Sequence, residues 1–511
     1  MFVRQKKNKS GVISVQIIDK SSGKYRLFET VGSSSNQEEI DKLVVRGELR
    51  IKEASGQQRL NFDTKDEQQL IDTFFNGIKQ LRLIGPELLL GGIFDEIGFD
   101  AIQDKLFRPL VLTRLCHPVS KLKTTDYLFK YQDISIDVER IYRYLDKLHS
   151  QQKQKVQQIS YAHTLKVLGN NISLVFYDVT TLYFESEQED ELRRTGFSKD
   201  GKHQHPQIVL GLLVSQGGYP LAYEIFEGNK FEGHTMLPVI NAFKQLYHIK
   251  DLVIVADAGL MSNTNIEELR AKNYQYIIGA RIKNEPRSIQ DKILSASLKN
   301  GESIEITKDE HSKIILSYSE ARAKKDAVNR KKGLDKLTRS ISNGKLTKQN
   351  INNRGYNKYL KMEGDVKITI DTEKYAADKK WDGLKGYVTN TSLTRNEIID
   401  NYSQLWQIEK AFRISKTDLR IRPLYHRLKH RIEAHICICF CAYKIYKELE
   451  RQLKLKKSEL SPEKAIDIAK TIYQITIQTN LSKTLHSRLY ISKAEQENLV
   501  KLFDLEIWVS Q

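Results

Sequence analysis

Two short, almost continuously apolar runs that each end in an aspartate constrain this chain more than any other feature. ISLVFY (172–177) leads into Asp178, and DLVIVA (251–256) leads into Asp257. Strands covered on both faces read as such runs, whereas half-exposed strands alternate. The segments between them complete a readable order. QIVLGLLVS and YPLAYEIF, joined by Gln216-Gly217-Gly218, predict a hairpin. HTMLPVINAFKQLYH has helical period, and TNIEELRAKN opens with Thr264-x-x-Glu267, a capping-box pattern. YQYIIGARI reads as another strand, followed by a long insertion and then a helix opened by Thr394-x-x-Glu397.

The sequence order strand, strand, strand, helix, strand, helix, strand, insertion, helix is that of a ribonuclease-H-like domain. There the first and fourth strands are parallel neighbours, so Asp178 and Asp257 are expected at adjacent strand ends. The last helix should carry a third acid. In Asn396–Lys416 the positions Ile398, Tyr402, Leu405, Phe412 and Lys416 recur at steps of four and three, and Glu409 falls in the same series. A carboxylate on an inward stripe is costly unless it is paired, hydrogen-bonded or bound to a metal.

Three acids meeting at one point repel one another, and divalent ions remove the conflict. Hard cations such as Mg²⁺ or Mn²⁺ take carboxylate oxygens and keep positions open for water and phosphate. A pair of such ions, about 4 Å apart, suits in-line displacement at phosphorus. Each acid alone has a plainer reading, because an aspartate ending a strand is commonly a turn former.

Charge points the same way. The 511 residues carry a formal net charge of +18, and it is clustered. Residues 321–361 hold 13 Lys/Arg against Asp326 and Asp335, and residues 410–431 hold eight against Asp418. Clustered positive charge beside an acidic site favours a polyanion, most simply nucleic acid. For 321–361 a solvated, partly disordered surface is the alternative.

Length suggests roughly three domains. A small β-rich module is expected over residues 1–75, opened by GVISVQII and KYRLFETVG around the turn Lys20 to Gly23. A helical domain is expected over 76–168, with Asp137 as a helix cap; two of its helices could read DNA as a helix-turn-helix or simply form a bundle. The catalytic domain is expected over 169–445, its insertion at about 282–393, and amphipathic helices over 446–511. No run approaches the roughly 18 apolar residues that span a bilayer. The basic start MFVRQKKNKSG lacks a secretory apolar stretch. A cytoplasmic protein without membrane partners is expected. Cys437, Cys439 and Cys441 read as small apolar residues of a buried helix, since positions two apart point to opposite sides and cannot wrap one zinc ion.

FYDVTTLYFES, VIVADAGLMS and YSQLWQIEKAFRISKTDLRIRPLYH, together with GFSKDGKHQHPQIVLGLLVSQGGYPLAYEIFEGN and WDGLKGYVTNTSL, resemble the insertion-sequence transposases of the DDE type. The resemblance is to the branch with a β-rich insertion and a Tyr-x2-Arg-x3-Glu-x6-Lys signature helix, and it covers about residues 100–445. It implies a ribonuclease-H-like fold and a triad of Asp178, Asp257 and Glu409 holding two Mg²⁺ ions, with Mn²⁺ as substitute. It implies cleavage at transposon ends, 3′-hydroxyl transfer into target double-stranded DNA, and a homodimer or higher multimer on paired ends. Tyr402 and Lys416 would contact DNA phosphates. Leu405 stands where the signature has arginine, and Arg413 is the candidate to replace that charge. A nuclease or resolvase that cuts without joining, and a DNA-binding descendant without catalysis, are the competing functions.

Overall fold

The computed structural model describes residues 1–505 except 22, 55–63, 199–200, 250, 261, 353–354, 364–366 and 480–481. The chain divides into two compact units, residues 1–79 with 476–486, and residues 80–475 with 487–511.

In the first unit, strands Phe2–Lys7, Ile13–Asp19 and Arg26–Ser34 form an antiparallel sheet in sequence order. Val15, Ile17 and Ile18 of the middle strand are buried, as is Ile40 of the helix Gln37–Ala54 packed on that sheet. A second helix, Thr64–Gly77, follows, so this region is as helical as it is stranded. The β signal was legible because it alternates. The first helix mixes Ile40, Leu43, Val44, Val45, Leu49 and Ile51 with Glu, Lys and Arg.

The second unit is built on an eight-stranded mixed sheet. From one edge the strands run Ser303–Asp309, Ser312–Tyr318, Leu384–Thr389, Gln275–Ala280, Val253–Ala256, Leu174–Tyr183, Gln207–Ser215 and Pro220–Glu227. Two neighbouring pairs are parallel: Leu174–Tyr183 with Val253–Ala256, and Val253–Ala256 with Gln275–Ala280. The others are antiparallel. The expected hairpin is present, and Gly217 and Gly218 both take φ of 80°, a left-handed conformation that glycine adopts without strain. Three strands of the insertion extend the main sheet, and Leu360–Glu363 pairs with Lys367–Ile370 in a small sheet of their own. The basic stretch within it contains a 23-residue helix, Glu320–Ser342, rather than a loose surface.

Side chains alternate between two cores. Val175, Tyr177, Ile254 and Ala256 face the helices Met236–Tyr247 and Asn263–Ala271. Leu174, Phe176, Val253 and Val255 face Arg395–Ser403, Trp406–Thr417 and the long helix Lys429–Leu455. That long helix is buried from Ile432 to Glu450, and its stretch Ile436–Tyr443 is continuously apolar, as an enclosed helix reads. Cys437, Cys439 and Cys441 are buried free thiols within it. Its Lys444 is buried too, and its ammonium donates to the Ser160 carbonyl at 3.0 Å and to the Thr164 hydroxyl.

Several local expectations need correction. Asp137 stands at the N-cap of Val138–Gln151, but its side chain makes no capping bond. The helix expected to start at Thr264 begins earlier, capped by Ser262 onto the Asn265 amide. Thr394 and Glu397 do form a reciprocal capping box. The C-terminal region is not wholly helical, because strands Tyr473–Gln478 and Leu485–Tyr490 separate its helices. No helix among the described residues is long and apolar enough to cross a membrane.

Phe176 is fully buried between the sheet and the helices over it. Phe176→Ala is expected to cost about 3–5 kcal/mol in urea unfolding. Phe197→Ala, at a ring 76% exposed, should stay within about 0.5 kcal/mol.

Candidate active site

Parallel pairing sets the site. The parallel register Leu174↔Val253 through Tyr177↔Ala256 stops one residue before each aspartate, so Asp178 and Asp257 follow side by side. Only Asp257 lies at a strand end as expected; Asp178 is mid-strand, because antiparallel pairing with Gln207–Ser215 continues to Tyr183. Each has the side-chain parity of its neighbour's core-facing residues, Phe176 and Val255, and therefore points to the face covered by Arg395–Ser403 and Trp406–Thr417. Strand neighbours lie about 4.8 Å apart. Asp178 is half-buried and Asp257 is exposed. Asp257 Oδ1 accepts its neighbour Ala258 N–H at 2.7 Å and the Tyr402 hydroxyl at 3.3 Å.

Tyr402 was expected at DNA phosphates. It is 6% exposed, and its hydroxyl is directed at Asp257. Burial, then the charge of Asp257, holds its phenol well above the usual range, so it stays a donor. To reach Asp257 the ring crosses Gly279, where a β-carbon would lie 2.5 Å from the hydroxyl oxygen. Only glycine leaves that path open.

Glu409 does not occupy the inward stripe. The expected single helix is broken: Arg395–Ser403 and Trp406–Thr417 are joined through tight three-residue hydrogen bonds, Leu405 N–H to Tyr402 and Ile408 N–H to Leu405. A 3₁₀-like turn advances the helical phase. Ile408 thereby takes the buried position, and Glu409 is exposed beside it. Its helix packs on the Asp178 strand. The charges of Glu409 and Asp257 both reach Tyr402 and Lys385. Among the described residues no three His, Cys, Asp or Glu are close enough to hold one ion. The three acids therefore share a face without being gathered to a point. Leu405 is buried at the break, Arg413 is exposed one turn beyond Glu409, and Lys416 is half-buried.

Sequence reasoning missed two residues. Lys385, in WDGLKGYVTN, sits with its ammonium 4.5 Å from the Tyr402 ring centroid and 5.3 Å from that of Tyr387. Burial, then Arg322, lowers its pKa, while Asp257 and Glu409 oppose that shift. Its signal was a lysine at a core-facing position of a central strand. Glu232 is the other. Its Oε2 and Asp257 Oδ2 lie 4.0 and 3.9 Å from the point where a side chain on Gly259 would begin. Its signal was weaker, a lone acid in a loop after EGNK.

A family model described as "Transposase DDE domain" matches residues 169–445, more than half the chain. The chain belongs to that family. A curated relative, the transposase for insertion sequence element IS231E of Bacillus thuringiensis subsp. finitimus, is 36% identical over 96 residues. That match takes in 17% of this chain and spans about a fifth of the relative's length, 20%. Among solved structures, a piggyBac transposase synaptic complex with hairpin DNA has a TM-score of 0.38 at 10% identity, over 76% of this chain and 79% of that one. A Mos1 transposase paired-end complex with the left transposon end has a TM-score of 0.16 at 10% identity, over 33% and 56%.

In this DDE-domain chain the Gly279–Tyr402 contact is open to a stability test. Gly279→Ala should cost about 1–3 kcal/mol through overpacking. Combined with Tyr402→Phe, which removes the closest atom, the added cost should fall to a fraction of that. Equal costs in both backgrounds would show that the phenol does not cross Gly279.

Proposed function

We propose that this protein is a DNA transposase with a ribonuclease-H-like catalytic domain over residues 169–445, interrupted at about 282–393. It would cut at transposon ends and transfer the freed 3′-hydroxyl into target DNA. The observation that carries this reading is the side-by-side emergence of Asp178 and Asp257 from paired parallel strands, under the helix bearing Glu409, in a chain of the DDE family.

The donor set fits a divalent cation. Asp178 and Asp257 offer hard carboxylate oxygens on neighbouring strands where the parallel ladder stops, the chemistry that Mg²⁺ takes and Mn²⁺ shares. Glu409 is the third ligand of the proposal. Two ions bound there would activate the attacking oxygen and stabilise the leaving one. The chain's own side chains do the rest. Tyr402 holds Asp257 from beneath through its hydroxyl, so it acts as a positioning residue rather than a DNA contact. Lys385 brings a positive charge within reach of both Asp257 and Glu409, where it would attract a phosphodiester's negative charge. Arg413 and Lys416 follow Glu409 on the same helix and are the candidate backbone contacts.

The basic helix Glu320–Ser342 supports a DNA partner in part. Arg322, Arg330 and nearby Lys358 are taken up by Asp326, Asp382 and Asp378. Lys324, Lys325, Lys331, Lys332, Lys336 and Arg339 remain exposed on that helix. Phosphates neutralised by such side chains release counterions, so affinity should fall with salt at a slope of about −0.9 per contact. Replacing Lys324, Lys325, Lys331 and Lys332 with alanine should flatten that slope by about 2–4. An unchanged slope would make the helix a solvated surface. Action as a homodimer or higher multimer on paired ends, in the cytoplasm, completes the proposal.

Asp178→Asn, Asp257→Asn and Glu409→Gln should each abolish Mg²⁺-dependent cleavage of a duplex carrying the element's end while leaving binding of that duplex near the unsubstituted level. Full cleavage by any of the three would remove that residue from the triad. Supplying pre-cut ends with a target plasmid distinguishes transposition from simple nuclease action, since only the former yields joined product.

A further inference from the structure

A second site lies away from the aspartates. A cavity of about 500 Å³ opens between the helix Phe107–Cys116, the start of the helix Lys121–Gln132, the chain leaving Thr417, and the long helix Lys429–Leu455. Its wall carries Arg114, Lys121, Lys123, Arg420 and Arg422, and no carboxylate.

Two of those cations are buried without a counter-ion. Arg114 and Lys121 are each 5% exposed. Arg114 donates to the Val119 carbonyl at 3.3 Å, and among the described residues neither side chain is in an ion pair. Desolvated charges left unpaired are strongly destabilising, and two of the same sign side by side are worse. Burial and the neighbouring cations lower the pKa values of basic groups of the wall. Burial, then Arg114, pulls Lys121 down to about 7, and burial, then Lys121 and Arg114, pulls His426 down to about 3. His435 is driven low by the same causes, and its Nδ1 has no hydrogen-bond partner.

The backbone adds to the positive field. Ser120 caps the twelve-residue helix Lys121–Gln132 by accepting from the Lys123 amide, so the positive end of that helix dipole opens at the cavity. Buried ammonium, guanidinium, imidazole and helix N-terminus converge on a space with no carboxylate in its wall among the described residues. This is the recognition chemistry of a phosphate group.

We propose that this cavity binds a phosphate, and that in the DNA complex the phosphate is a backbone linkage of the bound strand. The second half rests on the transposase reading above. The cavity is tied to the catalytic face through the chain itself. Arg420 and Arg422 follow directly on the helix that bears Glu409. Leu424 pairs in parallel with Phe184, next to the end of the Asp178 strand, and the Arg422 guanidinium lies 5.8 Å from the Tyr183 ring centroid. Asp178 to Tyr183 is five residues of strand, roughly 17 Å. At about 3.4 Å of duplex axis per base pair, that span corresponds to about five base pairs.

The test uses the full chain. At matched ionic strength, sodium pyrophosphate should raise the thermal midpoint of the unsubstituted protein above that in sodium chloride, and should do nothing for Lys121→Met. Without anion, Lys121→Met should melt no lower than the parent, because it removes an unpaired buried charge. Should that variant fail to fold, Lys123→Ala with Arg420→Ala alters only exposed positions of the wall and should blunt the pyrophosphate shift. An equal shift in parent and variants would overturn the site. Single methylphosphonate linkages scanned through the end duplex then identify the source of the phosphate. One or two neutral linkages should weaken binding by the parent about tenfold and leave the Lys121→Met complex unaffected. Pyrophosphate protection with no sensitive linkage would overturn the DNA half and leave a site for a free anion. Pyrophosphate protection in a protein that cuts no DNA would refute the transposase reading and spare the phosphate site.

Discussion

Everything at the candidate active site depends on one piece of hydrogen bonding, the parallel ladder between Leu174–Tyr183 and Val253–Ala256. A parallel pair runs two strands in the same direction, and here it sets Asp178, midway along Leu174–Tyr183, level with Asp257 just past the end of Val253–Ala256. An antiparallel pairing would send the two acids to opposite ends of the sheet. A slip of one residue would turn one of them into the opposite core. The ladder is short, but its strands are enclosed on both faces by Phe176, Val255, Tyr177 and Ala256 and their helices, so the register is held by packing as well as by hydrogen bonds.

The second constraint is the break in the signature helix. It lets Tyr402 and Ile398 bury against the sheet while Glu409, one turn beyond the break, remains in solvent. An acid locked on an inward stripe would carry a fixed desolvation cost. An acid at the rim avoids that cost and can approach the aspartates when positive charge offsets their repulsion. Lys385 already supplies one such charge, and Gly279 lets the phenol pass beneath it to steady Asp257.

Much of this was legible in the residues. The Gly217-Gly218 hairpin and the Thr394 capping box each have a local cause and stand in the structure as that pattern implies, and Asp257 follows its strand as expected. Asp178 does not end its strand, because pairing with Gln207–Ser215 carries Leu174–Tyr183 five residues past it. Glu409 was placed on the correct helix but on the wrong face. A 3₁₀ turn leaves the four-three spacing of the sequence untouched while changing the angle it subtends. The joining of the insertion's strands to the main sheet depends on pairing between Leu384–Thr389 and Gln275–Ala280, more than a hundred residues apart, and no local pattern encodes it. Lys385 and Lys121 were hidden for a related reason. A lysine in sequence reads as surface, and only the packed structure shows it enclosed.

The central claim is that Asp178 and Asp257 form the floor of a divalent-metal site. Crystals of the protein grown with Mn²⁺, with anomalous differences collected near the manganese edge, test it most directly. The account predicts a peak bridging the two carboxylates, with Glu409 drawn toward it. Ordered manganese elsewhere in the molecule, with none at these two side chains, would contradict it.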